Sequence, residues 1–301
     1  MVFIKTISSK LAVFKMTLKI LVTGATGNVG KEIIRLLKTQ DCEVVAAVRD
    51  PIRARSILGT DITCIAFDFT QPETFTPAFT GINKIFLVRP PALADIRKQI
   101  APALVAAKQA GIEQIVFLSL LGADKNRVVP HYAIERTIEQ LNIPATFLRC
   151  SFFMQNLNTT HRSDIQRGEL FMPAGHGRTS FIDVRDIAAV AVKVLIEDGH
   201  QGMAYPLTGS EALTYDEVAD IFTSVLGKSV RYPNPSPIEF IWRMWKRGLP
   251  LNFVLIMTGI YTTARFGSAG TISTDVARLL GRPPIKMRQY VEDYRSCWLD
   301  E

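Results

Sequence analysis

The segment "VPHYAIERTIEQL", Val129 to Leu141, carries two overlapping four-residue spacings, and each could hold a catalytic pair. Tyr132 with Arg136 would set a phenol beside a cation, the arrangement in which a lowered phenol pKa lets a proton pass to a substrate oxygen. His131 with Glu135 would set an imidazole that orients a substrate or gives it a proton, beside a carboxylate that holds the ring. Helix geometry separates the two. At about 100° per residue, Ile134, Ile138 and Leu141 cluster on one face, which must be the buried one. Tyr132 and Arg136 lie roughly 155° or more from its centre and face solvent, whereas His131 and Glu135 lie roughly 55° and 95° from it, at the rim where a cleft can meet the helix. Arg is also a poor substitute for Lys beside a phenol, because its fork can be neither placed nor titrated in the same way. His131 and Glu135 are therefore the expected catalytic residues. The bland alternative is a solvated pair worth only a few tenths of a kcal/mol to the helix.

That helix must be positioned by something, and the chain supplies an alternation of short apolar runs with helical patterns. The runs are "KILVTG", "EVVAAVR", "ITCIAFD", "KIFLVRP", "QIVFLSL" and "ATFLRC", all between Leu18 and Cys150. Rich in Val, Ile and Phe and scarcely alternating, they suit strands buried on both faces of a parallel sheet. Between them, "GKEIIRLLKTQ", "DIRKQIAPALVAAKQAG" and "AIERTIEQL" repeat apolar residues at three and four. The expected fold is α/β, a doubly wound (Rossmann) sheet over residues 16–150. Residues 151–301 are expected to form mainly a smaller, mostly helical substrate lobe, with some segments returning to the core. Helices are legible there at "DVRDIAAVAVKVLIE", "TYDEVADIFTSVLG" and "VARLLG". The apolar "LPLNFVLIMTGIY" from Leu249 is too short for a membrane span of about twenty residues and reads as a buried or pocket-lining segment.

"ILVTGATGNVGKEIIRLL" places Gly24, Gly27 and Gly30 at the end of the first strand and the opening of the first helix. A helix N-terminus offers unpaired N–H groups and a partial positive charge, and glycines let a pyrophosphate approach the backbone. The second strand then chooses between dinucleotides. An acid at its end would bind the ribose of NAD, but "AAVRDP" has Val48 at that place and Arg49 next, which favours the extra phosphate of NADPH, with Arg53 assisting. Asp50 either serves the ribose, leaving NADH possible, or caps the following helix.

With these motifs on view, the chain resembles the NmrA-like family of atypical short-chain dehydrogenases/reductases, from about Leu18 to Trp298. "TGATGNVG", "AAVRDP", "FDF" at Phe67 to Phe69, "FLVRPP", "LRCSFFMQNL" and "GRPP" at Gly281 carry the resemblance. In style it is most similar to the bacterial quinone, azo-dye and triphenylmethane reductases of that family. The resemblance implies that Gly24, Thr26, Gly27, Asn28, Val29 and Gly30 hold the cofactor and that Asp68 and Phe69 flank its adenine. It implies that the backbone of Leu87, Val88 and Arg89 passes under it, and that Phe152, Phe153 and Met154 lie by the nicotinamide as pocket wall. Ser119 either faces that pocket or is a buried hydroxyl bonded to backbone. Ordinary members of the superfamily use a Tyr and a Lys four residues on, whereas some NmrA-like reductases carry a His with a Glu four later, and "HYAIE" matches the second pattern.

Composition bounds the rest. With 301 residues, 48% hydrophobic and 21% charged, the chain can bury a sizeable core. Of the formal charge of +7, four belong to Lys5, Lys10, Lys15 and Lys19, so the remainder is nearly balanced and shows no basic, aromatic-interleaved face for nucleic acid. Residues 1–15 are a basic extension, read either as an amphipathic or targeting segment or as an over-long start before Met16. Four cysteines without CxxC spacing suit free thiols and a cytoplasmic location. No metal motif is present: His161, His176 and His200 share no ligand spacing. Two functions are carried forward. One is an NADPH-dependent reductase passing hydride to a small electrophile such as a quinone or azo compound, with a homodimer or a protein partner both open. The other is a non-catalytic NADP(H)-sensing regulator or assembly factor with a protein partner, for which the basic N-terminal segment and the Trp242, Arg243, Trp245, Lys246 and Arg247 cluster would be contact surfaces, although the favoured reading of that cluster is an amphipathic helix covering the pocket.

Overall fold

The six Val-, Ile- and Phe-rich runs form six parallel strands, and a seventh joins them. The computed structural model describes residues 17–93 and 95–299, so the basic extension lies outside the described residues. The strands are β1 (Leu18–Thr23), β2 (Cys42–Val48), β3 (Thr63–Ala66), β4 (Lys84–Leu87), β5 (Gln114–Leu120), β6 (Ala145–Cys150) and β7 (Ala204–Leu207). Their order is β3-β2-β1-β4-β5-β6-β7, all parallel. The helices in the first half are α1 (Asn28–Leu37), α2 (Pro51–Leu58), α3 (Phe75–Phe79), α4 (Ile96–Gln99), α5 (Ala101–Gln109) and α6 (Pro130–Gln140). The second half adds α7 (Arg162–Gln166), α8 (Val184–Ile196), α9 (Tyr215–Leu226), α10 (Pro237–Lys246), α11 (Leu251–Arg265), α12 (Asp275–Leu280) and α13 (Met287–Asp293).

Because successive side chains of a strand point to opposite faces, each strand feeds two cores. Ile20 and Val22 of β1 meet α1, α8 and α12 on one face, while Leu21 meets α3, α5 and α6 on the other. A parallel sheet covered on both sides must read as unbroken apolar runs, and the inner strands do, while the edge strand β3 is exposed at both ends. α8, capped by Asp183 through Arg185 N, packs on α1, and β7 extends the sheet at its edge, so part of the second half completes the first. A third core gathers Met154, Phe181, Tyr215, Phe222, Phe240, Tyr261, Tyr290 and Trp298 into a helical lobe. Capping boxes open α9 (Thr214 with Glu217) and α10 (Ser236 with Glu239).

One expectation is corrected here. The apolar run from Leu249 becomes α11, and only one of its faces is buried, through Val254, Met257, Thr258 and Tyr261. Leu251, Leu255, Ile256 and Ile260 are exposed, as are Trp242 and Trp245 on α10. A run that is apolar all round carries no periodicity to say which side a single core takes. Among the described residues no helix is long and apolar enough to cross a membrane, and no group of His, Cys, Asp and Glu could hold a metal ion.

Candidate active site

All seven strands end on one side, so the residues following them share one edge of the sheet, and the order reverses between β1 and β4. In open α/β sheets the ligand crevice lies at that reversal. The β1–α1 turn shows why glycine is needed. Gly24 has φ +61°, and a Cβ there would stand 3.1 Å from Val88 Cβ; at Gly30 it would stand 2.3 Å from Gly24 O and 2.8 Å from Ala25 Cα, both backbone atoms. Thr23 ties the turn to β4, its Oγ1 accepting from Val88 N at 2.7 Å and donating to Phe86 O at 3.2 Å. α1 follows Gly27 at its N-cap, with no side-chain cap and no acid in its first turn, and Gly24, Gly27 and Asn28 are exposed. Its first amides are therefore free to bind an anion. Thr26 is half-buried beside them, and Val29 and Gly30 are buried against the strand.

At the end of β2, Arg49 and Arg53 are both exposed. Asp50 spends its carboxylate on Ile52 N and Arg53 N, both at 3.0 Å, capping α2 rather than standing free for a ribose. The donor set here is two guanidiniums with no competing acid, which fits a phosphate better than a bare diol. Asp68 holds Thr70 through its N and Oγ1, both at 2.8 Å. Phe69 is buried edge-on against Phe67 at 4.8 Å, so its ring belongs to the core under the sheet rather than to an open adenine slot. Leu87 is likewise a core side chain, and Val88 closes over Gly24.

The two candidate pairs on α6 do not separate as the helix geometry implies, because Tyr132 and Arg136 are half-buried, like His131, rather than facing solvent. The Arg136 guanidinium lies over the Tyr132 ring at 5.6 Å and pairs with Glu139. The other pair does not behave as a pair. Glu135 is fully buried rather than at a rim, and its carboxylate is claimed by Ser119 Oγ at 2.5 Å and by Arg149 through Nε at 3.2 Å and Nη2 at 2.7 Å. It therefore does not hold the His131 ring, whose Nδ1 is buried without a partner. Burial, and next the charge of Arg89, push His131 down to about 4, so the imidazole is neutral at pH 7. Ser119 bonds to a carboxylate, neither to backbone nor into an open pocket.

Arg149 went unnoticed in the sequence. It sits on β6, bonds Glu135, and reaches Asp124 at 3.3 Å. Burial would lower its pKa, but the hydrogen bonds and charge of Glu135, then Asp124, raise it overall. The signal was available: an Arg inside a strand buried on both faces demands a carboxylate.

Beyond β6 the three expected pocket residues diverge. Phe152 is half-buried, edge-on to Phe181 at 5.6 Å and near Tyr261 at 5.4 Å. Met154 is fully buried in the lobe, while Phe153 turns to the α1–α8 side. Gln155 locks the segment by donating to Asp183 at 2.9 Å and accepting from Val184 N at 2.9 Å. Behind Phe152, Tyr261 is hydrogen-bonded to the buried His161, and burial, chiefly, holds His161 down at about 4.

A doubly wound parallel sheet with an uncapped glycine turn at its reversal defines a dinucleotide-binding protein. The chain belongs to the NmrA-like family, whose model matches residues 16–278. It is 33% identical over 284 residues to the NAD(P)H azoreductase of Xenophilus azovorans, covering 93% of this chain and 99% of that protein. The NADPH-dependent quinone oxidoreductase of Escherichia coli complexed with NADPH superposes with a TM-score of 0.83 at 29% identity, covering 92% of this chain and 99% of that one. The Citrobacter sp. triphenylmethane reductase complexed with NADP(H) gives a TM-score of 0.80, also at 29% identity and covering 92% and 99% of the two chains.

Proposed function

We propose that this protein is an NADPH-dependent reductase that delivers hydride to a small, flat electrophile of the quinone or azo class. The observation that carries the reading is the end of β2: Arg49 and Arg53 stand exposed after a strand whose last residues pair in register with the end of β1, which leads into the uncapped α1, and the one neighbouring acid is consumed as a helix cap. The printed activities of the azoreductase and the quinone oxidoreductase support it. The nicotinamide, when bound, supplies the hydride. The chain's own residues do the rest: the Gly24–Gly30 turn holds the pyrophosphate, Arg49 the additional phosphate, and Phe152 with the aromatic lobe walls the acceptor. No titrating Tyr and Lys pair is needed for an acceptor that is already electron-poor.

The test is equilibrium titration of the full chain with NADPH and NADH, followed by NADPH oxidation against quinones and azo dyes. Tight NADPH binding and turnover on at least one acceptor are expected. Tight binding without oxidation of any acceptor would overturn the reductase and mark a dinucleotide-sensing protein instead.

A further inference from the structure

The loop after β4 and the first turn of α6 each hold a nitrogen atom that the fold buries and leaves unpaired, Nε of Arg89 and Nδ1 of His131. Buried polar atoms in folded proteins nearly always find a partner, so such a pair calls for a cause. The two belong to one corner. Arg89 stands two residues beyond Leu87, the end of β4, and Leu87 pairs in register with Phe117 of β5. The His131 ring lies against that same Phe117, with centroids 5.9 Å apart. Arg89 is also fixed in place, because its Nη1 donates to Pro90 O and Pro91 O at 3.0 Å and to Leu93 O at 2.9 Å. None of these partners is an acid, so the guanidinium charge is uncompensated within its own loop.

We propose that Arg89 and His131 form a receptor for the oxygen of the hydride acceptor, Nε of Arg89 and the imidazole N–H converging on it. This rests on the reductase reading above. The corner lies on the β4–β5 side of the sheet reversal, away from the glycine turn of β1, which is where the reactive half of a dinucleotide laid across β1 and β4 must end. When a quinone takes up hydride it gains two electrons and one proton and becomes a hydroquinone monoanion, while NADPH becomes NADP+; the second proton then comes from water. The fixed cation meets the negative oxygen as it forms, and the neutral imidazole adds a hydrogen bond without having to surrender a proton. The same charge repels an acceptor that is itself a cation. The inference is therefore a substrate class: neutral, oxygen-terminated acceptors of the quinone type over cationic triarylmethane dyes.

The test uses the full chain and reads binding as well as turnover. 4-Nitrophenolate, a stand-in for the hydroquinone anion, is titrated by its visible absorbance onto protein saturated with NADP+. Arg89→Gln and His131→Phe should each weaken phenolate binding and lower kcat/KM for a benzoquinone by about tenfold or more, the scale of one lost charge-assisted or buried hydrogen bond. Arg89→Gln alone should also shift preference toward a cationic triarylmethane dye, and both variants should keep the NADPH Kd within about twofold, a change too small to be a lost contact. His131→Phe keeps the ring against Phe117 and leaves the three carbonyl bonds of Arg89 intact, so it carries the test if Arg89→Gln loosens its loop. Unchanged phenolate binding in both variants overturns the receptor, as does a parallel rise in NADPH Kd, which would give Arg89 to the cofactor. Failure of the wild type to bind NADPH sinks the reductase reading; NADPH binding with indifference to phenolate sinks this assignment alone.

Discussion

Replacing Glu135 with methionine should destabilise the protein far more than its place on an amphipathic helix suggests, because its carboxylate is the centre of a buried clamp. Three hydrogen bonds end on it, from Ser119 on β5 and twice from Arg149 on β6, so one side chain of α6 ties together two strands of the sheet. Removing one member of a buried ion pair costs about 3–5 kcal/mol, since the other is left desolvated. Arg149 keeps Asp124 at 3.3 Å and is 15% exposed, which places Glu135→Met near the lower end, about 3 kcal/mol. Ser119→Ala removes one bond to a charged group and should cost about 2 kcal/mol. The double variant Glu135→Met with Arg149→Met removes both charges and substitutes apolar volume, so it should be more stable than Glu135→Met alone, with a coupling of about 2 kcal/mol. Urea unfolding at pH 7, followed by far-UV circular dichroism, is measured for the wild type, Glu135→Met, Arg149→Met and the double variant, which close the cycle, and for Ser119→Ala beside them. Strict additivity of the single variants would refute the clamp. So would a Glu135→Gln protein of wild-type stability whose turnover loses a pH limb, because that result would make Glu135 a proton-transferring group.

Three further outcomes follow from the same structure. Arg49→Ala should weaken NADPH by about 10–30-fold, the worth of one exposed charge-assisted contact of about 1.5–2 kcal/mol, and leave NADH nearly unchanged; equal affinities in isothermal titration would remove Arg49 from the site. Gly30→Ala should abolish measurable dinucleotide binding while the sheet still folds, because its Cβ would meet Gly24 O at 2.3 Å and only an opened turn relieves that; retained binding would mean the turn is not the cradle. His161 and His131 are both held neutral at about 4, below the usual 6.5, so protonation favours the unfolded chain. Their contribution is complete above pH 6.5 and is lost as pH falls from there to about 4, by up to about 3 kcal/mol each. His161→Phe should therefore flatten the pH dependence of stability between 6.5 and 4 by about one proton, and an unchanged slope would contradict the burial.

How much of this was legible in the sequence depended on whether the physics was local. β1, β2 and β4 to β6 announced themselves because a strand covered on both faces must be an apolar run; β3 was legible as an apolar run although it is an edge strand with exposed ends, whereas β7, the other edge, was not: "AYPL" is four residues long and contains Pro206, which is tolerated at the sheet edge. The glycine turn was legible because its requirement is set by its own backbone. Asp50 could be assigned only by seeing its carboxylate on the α2 amides.

Glu135 shows where helix arithmetic stops. The apolar residues of α6 put it at a rim, which was correct as an angle and wrong as an environment, since a wheel counts only the face that hydrophobic residues claim. The missing information was an Arg on a strand fourteen positions later, whose charge lets a carboxylate be buried there. That Arg was itself the clue, because a guanidinium within "ATFLRC", a strand packed on both faces, has to be met by an acid from a neighbouring layer, and α6 is the helix that covers β5 and β6. Reading charged residues in apolar strands as demands for partners would have assigned Glu135 to the scaffold from the start. It would also have left His131 with no carboxylate to hold its ring.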